Sequence, residues 1–237
     1  WRANGGGSSN SDGATSSTAQ ADPSGAFSIV TYTGFSGASG TSTVGHGLST
    51  APSMIMHKSR TRTTGWWTAF PGLLTSQSYF IDMTGNGAQT DLSSYGTISA
   101  PTTSVFTING VDGIGGESAD YVAYCFANVE GHCKVGKYTS NNEATDNAFV
   151  YLGFRPAFLL IKSVASGCHW ELIDNKRDGF NPTPESLDAD RDNASRTNAA
   201  PFADLLSNGF KVRTDNQVMG SSSHNPYLYL AMAHNPF

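Results

Sequence analysis

The run of side chains richest in possible chemistry is Asp188-Ala-Asp-Arg-Asp-Asn193. Its alternating carboxylates, Asp188, Asp190 and Asp192, open like a calcium loop, in which hard oxygen ligands converge on one ion. The pattern then breaks. The sixth position is Asn193 instead of Gly, and the twelfth is Ala199 where a bidentate Glu belongs. A solvated turn with capping aspartates is the expectation, and no metal or other cofactor is predicted. A second acidic set, Glu171, Asp174 and Asp178, lies on a predicted strand and its exit. Glycoside hydrolysis needs a carboxylate pair across a cleft, roughly 5–10 Å apart, so this set is the one that a glycan-degrading enzyme would use.

Other patterns fall short of a site. Gly131-His-Cys-Lys-Val-Gly-Lys137 nearly matches a phosphate-binding loop, but Tyr138 follows where Ser or Thr belongs, and the segment leads into a strand instead of a helix. The six histidines, His46, His57, His132, His169, His224 and His234, are dispersed without metal-type pairing, and no Gly-x-Ser-x-Gly or His-Glu-x-x-His occurs. Trp66 and Trp67 are adjacent, and alternation along a strand sends them to opposite faces. Trp66 aligns with Trp170 in the second half and is expected in the core. Trp67 aligns with Glu171 and is expected to point outward, where an indole can anchor an interface or stack on a sugar. Trp67, His169 and Glu171 are therefore the candidate ligand contacts.

The elements that must position these residues are built around Tyr121-Val-Ala-Tyr-Cys-Phe-Ala127 and its match Tyr227-Leu-Tyr-Leu-Ala-Met-Ala233. Both are strand-length and almost wholly apolar, so each reads as a central strand covered on both faces. Sliding the second half back by 104 to 106 positions aligns Tyr32 with Tyr138, Pro52 with Pro156, Lys58 with Lys162, and Phe106 with Phe210. This order of matches predicts two tandem pseudo-repeats of about 105 residues, a length suited to small domains. Strands are expected near 27–33, 53–58, 65–70, 78–83, 103–108 and 120–128, and again near 133–139, 148–152, 157–162, 168–174, 208–213 and 226–233. The spacing predicts an all-β fold: an antiparallel β-sandwich, jelly-roll-like, made of two packed repeats. Helical turns are expected only at Pro184–Asp190 and Pro201–Leu206. The boundaries follow: a Gly/Ser-rich linker or arm at 1–22, the first repeat at 23–131 and the second at 132–237.

Bulk properties narrow the function. The 237 residues carry 14 Lys and Arg against 19 Asp and Glu, a net charge of −5, with no basic cluster beyond Arg60-Thr-Arg62. Nucleic-acid binding is not expected. No segment reaches the roughly 18 apolar residues of a membrane helix, so membrane insertion is not expected either. Cys125, Cys133 and Cys168 have neither an even count nor metal spacing, and the chain reads as disulfide-free. It begins with Trp1 instead of Met, as expected for a piece of a longer polypeptide.

The stretch Thr43-Val-Gly-His-Gly-Leu-Ser-Thr-Ala-Pro-Ser-Met-Ile-Met-His-Lys58 resembles a module that recurs in bacteriophage tail and virion proteins. Together with Trp1-Arg-Ala-Asn-Gly-Gly-Gly7, Phe27–Gly34, Tyr121–Gly131, Phe154–Phe158 and the closing Asn235-Pro-Phe237, it resembles the C-terminal region of large structural proteins of marine and cyanobacterial phages. The resemblance implies a virion component, found in the extracellular particle, with no catalytic residues to transfer. The expected function is that of a non-enzymatic structural and adhesive domain of a tail fibre, spike or head decoration. Its partners would be other virion proteins and a host-surface glycan, with a homotrimer by analogy to fibres. Its Gly-rich loops near 36–42 and 110–118 would meet the host. The alternatives are a glycan-degrading virion enzyme and a purely architectural domain. In the second half Val150-Tyr-Leu152 replaces the His-Gly-Leu turn, which leaves His46 a turn-stabilising role through its ring nitrogens.

Overall fold

The two apolar runs take the central places that their composition requires. In a computed structural model, which describes residues 6–36, 39–99, 101–110, 114–116, 118–177, 181–197 and 201–234, the chain forms two compact units. The first runs through Asp82 and resumes over Thr90–Val129; the second comprises Met83–Gln89 and the chain from Glu130 onward. Both are all-β. Among the described residues the only helical element is a single 3-10 turn, Ser222–His224.

The strands of the first unit are β1 (Ser8–Asn10), β2 (Ser17–Ala21), β3 (Phe27–Thr33), β4 (Gly40–Gly45), β5 (Pro52–Ser59), β6 (Trp67–Ala69), β7 (Tyr79–Asp82), β8 (Thr90–Asp91), β9 (Gly96–Ser99), β10 (Val105–Gly110) and β11 (Asp120–Ala127). The larger sheet has the order β1-β2-β3-β11-β5-β6-β7-β8 and the smaller one β4-β10-β9. Every ladder is antiparallel. Between the sheets Val30, Tyr32, Ile55, Ala123 and Cys125 meet Val44, Ile98, Phe106 and Ile108 in one core. The small side chains Ala123, Cys125 and Ala127 thus face the second layer, where their size lets it approach closely.

The second unit contains β12 (Cys133–Tyr138), β13 (Phe149–Tyr151), β14 (Pro156–Ser163), β15 (Glu171–Asp174), β16 (Glu185–Asp188), β17 (Arg196–Thr197), β18 (Ala203–Leu206), β19 (Gly209–Val212) and β20 (Tyr227–Ala233). Its sheets run β12-β20-β14-β15-β16-β17 and β13-β19-β18. Taken from β3 and from β12, the two units have the same strand order, with β4-β10-β9 matched by β13-β19-β18. The core again lies between the layers, where Ile161, Ile173, Tyr229 and Ala231 meet Val150, Leu205, Phe210 and Val212. All three cysteines are free and buried.

Of the linker or arm expected at 1–22, the described residues form an arm: β2 pairs with β3 and β1 with β2, which extends the larger sheet. Strand addition satisfies the backbone of the sheet edge and does not require apolar side chains. The two expected helical turns are instead β16 and β18. Pairing of Leu172 with Leu187, and of Leu205 with Phe210, outweighs the proline-led helix signals. Parts of the two Gly-rich loops, residues 37–38, 111–113 and 117, lie outside the described residues, as do Trp1, Asp178 and the closing Asn235–Phe237.

Candidate functional site

The tryptophan pair faces the opposite way to the sequence expectation. Trp67 pairs with His57 and with Asp82, and it packs against the core of the first unit. Trp66 lies outside that strand and stacks on Tyr124, with ring centroids 5.9 Å apart. Trp170, its counterpart by sequence, is buried. Alternation correctly separates Trp66 from Trp67, but only the register with His57 decides which ring turns inward. Trp67 is therefore a packing residue.

Glu171 is also not a surface contact. It pairs with Ile161 on β14 and Asp188 on β16, and it is fully buried. One nitrogen of Arg196 donates to the Glu171 carboxylate and, at 2.7 Å, to Asp188 Oδ1. The Arg196 guanidinium lies 5.9 Å over the ring of Phe202 and keeps 35% of its side-chain surface in solvent. Desolvation raises the Glu171 carboxyl above its ordinary range, Asp188 adds to the rise, and Ser186 and Arg196 offset part of it. This cluster lies on the inward face of its sheet and closes one side of the core.

The remaining acidic candidates separate. Asp190 accepts from the Trp170 backbone N–H at 3.2 Å and bonds His169 Nδ1 at 2.8 Å, which holds the imidazole against a carboxylate with 15% of its side chain exposed. Asp192 is exposed, while Asp188 is held by Arg196. Among the described residues no group of three or more His, Cys, Asp or Glu is placed to hold a metal ion. Asp174 stands three positions after Glu171, which puts it on the other face of the strand. It bonds Arg177 Nε at 2.8 Å there. The carboxylate pair that hydrolysis would use is thus not assembled from Glu171 and Asp174, and Asp178 lies outside the described residues.

Three cationic or imidazole groups are placed for structure. Lys162 is fully buried and donates to the carbonyls of Gly87 at 2.9 Å and Ser163 at 2.8 Å, and burial pulls its ammonium down to about 8. His46 is buried. Its Nδ1 accepts the Leu48 backbone N–H at 3.1 Å, which leaves Nε2 to donate to the Thr102 carbonyl at 3.2 Å. That is the turn-stabilising role its ring nitrogens suit. His57 is buried beside Tyr32, whose hydroxyl is 2.6 Å from Nε2, and it stacks on Tyr121 with centroids 4.9 Å apart. Desolvation lowers its pKa to about 3.

Two accessible features have side chains suited to a ligand. In the first unit a groove of about 330 Å³ runs beside the arm, lined by hydroxyls of Ser9, Ser16, Thr18, Thr31 and Thr33, with Arg60 and Asp120. Asp120 Oδ1 accepts from Thr33 Oγ1 at 2.8 Å. The groove offers many donors and acceptors, one cation and one carboxylate, a set suited to a polyhydroxylated ligand. In the second unit Phe149 and Tyr151 on β13 expose 46% and 61% of their surface. The sequence signal for them is the aromatic-Val-aromatic alternation, in which Val150 alone faces the core.

The chain belongs to the family described as Domain of unknown function (DUF7483), which it matches over residues 1–236. No curated protein and no solved structure matches it.

Proposed function

We propose, from the premise of membership in a family whose function is not assigned, that the chain is a non-enzymatic structural and adhesive domain of a bacteriophage particle. It would belong to a tail fibre, spike or head decoration and contribute to recognition of a host-surface glycan. Its partners would be other virion proteins and further copies of itself, a trimer by analogy to fibres. A weak sugar contact repeated in each copy gains from avidity. The observation that carries the adhesive part is the open, hydroxyl-lined groove with Arg60 and Asp120 on a rigid sandwich, where a sugar's hydroxyls can exchange hydrogen bonds with the protein. What supports the virion part is the ordered resemblance along nearly the whole chain. Among the described residues no helix is long and apolar enough to cross a membrane.

The test is direct. Antibodies to the purified chain should label purified particles of a phage that encodes it, and the free chain should compete with those particles for adsorption to host cells. Particles that carry none of the chain would overturn the virion assignment. Labelled particles whose adsorption the free chain does not affect would leave a structural component and remove the adhesive role.

A further inference from the structure

The corresponding edges of the two units are finished differently. In the first unit the arm closes the side of the sandwich where β3 and β4 lie. β2 pairs with β3, while Thr15 N–H donates to Thr43 O at 2.9 Å and Ser17 Oγ to Gly45 O at 2.8 Å. That seat requires small residues. A Cβ added at Gly45 would come 1.7 Å from Asn10 Oδ1. In the second unit no strand lies outside β12 and β13 pairs with β19 alone, among the described residues. Val44 pairs with Phe106 and Val150 with Phe210, so Val150 matches Val44 and not His46 as the sequence alignment has it, and Thr43 and Gly45 correspond to Phe149 and Tyr151. A tyrosine where the arm needs glycine bars an extended segment seated in the same way.

Those rings lie on the solvent side of a rigid strand. Two residues along a strand places them about 6.8 Å apart. Polar groups surround them. Lys134 donates to the Tyr151 carbonyl at 3.0 Å and its ammonium stands 5.5 Å from that ring's centroid. Lys211, the cross-strand partner of Phe149, forms an ion pair with the largely exposed Asp146. Across from Tyr151 stands Gly209, which has no side chain to cover the ring. A protein interface would be expected to have a larger, charge-depleted apolar centre. Flat rings rimmed by charged donors and acceptors instead complement a pyranose, which has an apolar C–H face bordered by hydroxyls.

We propose that Phe149 and Tyr151 on β13 form a stacking platform for a chain of pyranose sugars, with Lys211 and Asp146 bonding hydroxyls at its rim. The proposal rests on the adhesive reading given above and moves the principal sugar contact from the hydroxyl-lined groove to this edge.

The full chain is run by affinity gel electrophoresis against dextran, laminarin, mannan, galactomannan and bacterial lipopolysaccharide. Retardation by at least one probe is expected. Phe149→Ser and Tyr151→Ser should each weaken it about tenfold, the equivalent of about 1.4 kcal/mol. The double variant should abolish it, Tyr151→Phe should retain it, and Tyr95→Ser, which removes an exposed ring belonging to neither the groove nor the platform, should leave it unchanged. Because both rings are exposed, the variants should melt with the parent, as circular dichroism checks. If the double variant is retarded like the parent, or Arg60→Ala alone abolishes binding, the platform is overturned while sugar recognition stands. If the parent binds none of the probes, the platform and the glycan part of the proposed function fail together.

Discussion

Trp67 and Glu171 occupy the same register position in equally ordered sheets: Trp67 pairs with Asp82 across β6 and β7, and Glu171 pairs with Asp188 across β15 and β16. In the first unit that position packs an indole on the core, with Phe80 beside it on β7. In the second it holds a buried carboxylate, and Ser186 replaces the phenyl ring. One unit closes its core with apolar surface, the other with an ion cluster. The cluster's stability depends on Arg196, because two carboxylates desolvated together repel.

Arg196→Ala should destabilise the second unit by about 3 kcal/mol, the lower end of the range for breaking a buried ion pair, since the guanidinium is partly in solvent. Urea unfolding measures this. Replacing Glu171 with Gln tests the linked titration. The folded carboxyl is raised above its ordinary 4.5, so the native state holds the proton longer than the unfolded chain. Stability from this group is full below about 4.5 and declines as pH rises through the raised value. Glu171→Gln should flatten that decline, and an unchanged pH profile would contradict the assignment.

His57 gives the opposite slope. Burial depresses its folded pKa from 6.5 to about 3, so the unfolded state takes up a proton first. Its contribution is present above pH 6.5 and is lost as pH falls towards 3. Tyr32→Phe should cost about 1–2 kcal/mol by leaving the imidazole without its hydroxyl partner. His57→Gln should remove the acid-side slope over the same window, read from denaturant midpoints at a series of pH values.

Removing residues 1–21 should uncover the edge of β3 and the backbone of β4. The lost side-chain bonds, Ala14 N–H to Thr43 Oγ1, Thr15 to Ser42 and Ser17 to Gly45, represent about 2–3 kcal/mol at ordinary values. An uncapped edge also pairs with other chains. The truncated protein should therefore melt earlier and self-associate by light scattering, whereas an equally stable monomer would show that the arm is dispensable.

Sequence alone determined the central strands. Tyr121–Ala127 and Tyr227–Ala233 are apolar on both faces, and the only place for such a strand is inside a covered sheet, where β11 and β20 lie. It also determined that Trp66 and Trp67 diverge, because alternation is local geometry. Tertiary structure decided the rest. Which tryptophan turns inward depends on pairing with His57, a partner ten residues away in sequence, and not on the local pattern. The polar arm forms strands because β3 offers unpaired backbone groups, a property of the assembled sheet that side-chain hydropathy does not record. Glu171 and Asp188 become neighbours only when β15 and β16 pair, and Arg196 is brought to both by β17. Phe149 and Tyr151 read as ordinary strand aromatics until the fold shows that no element covers the outward side of β13 among the described residues.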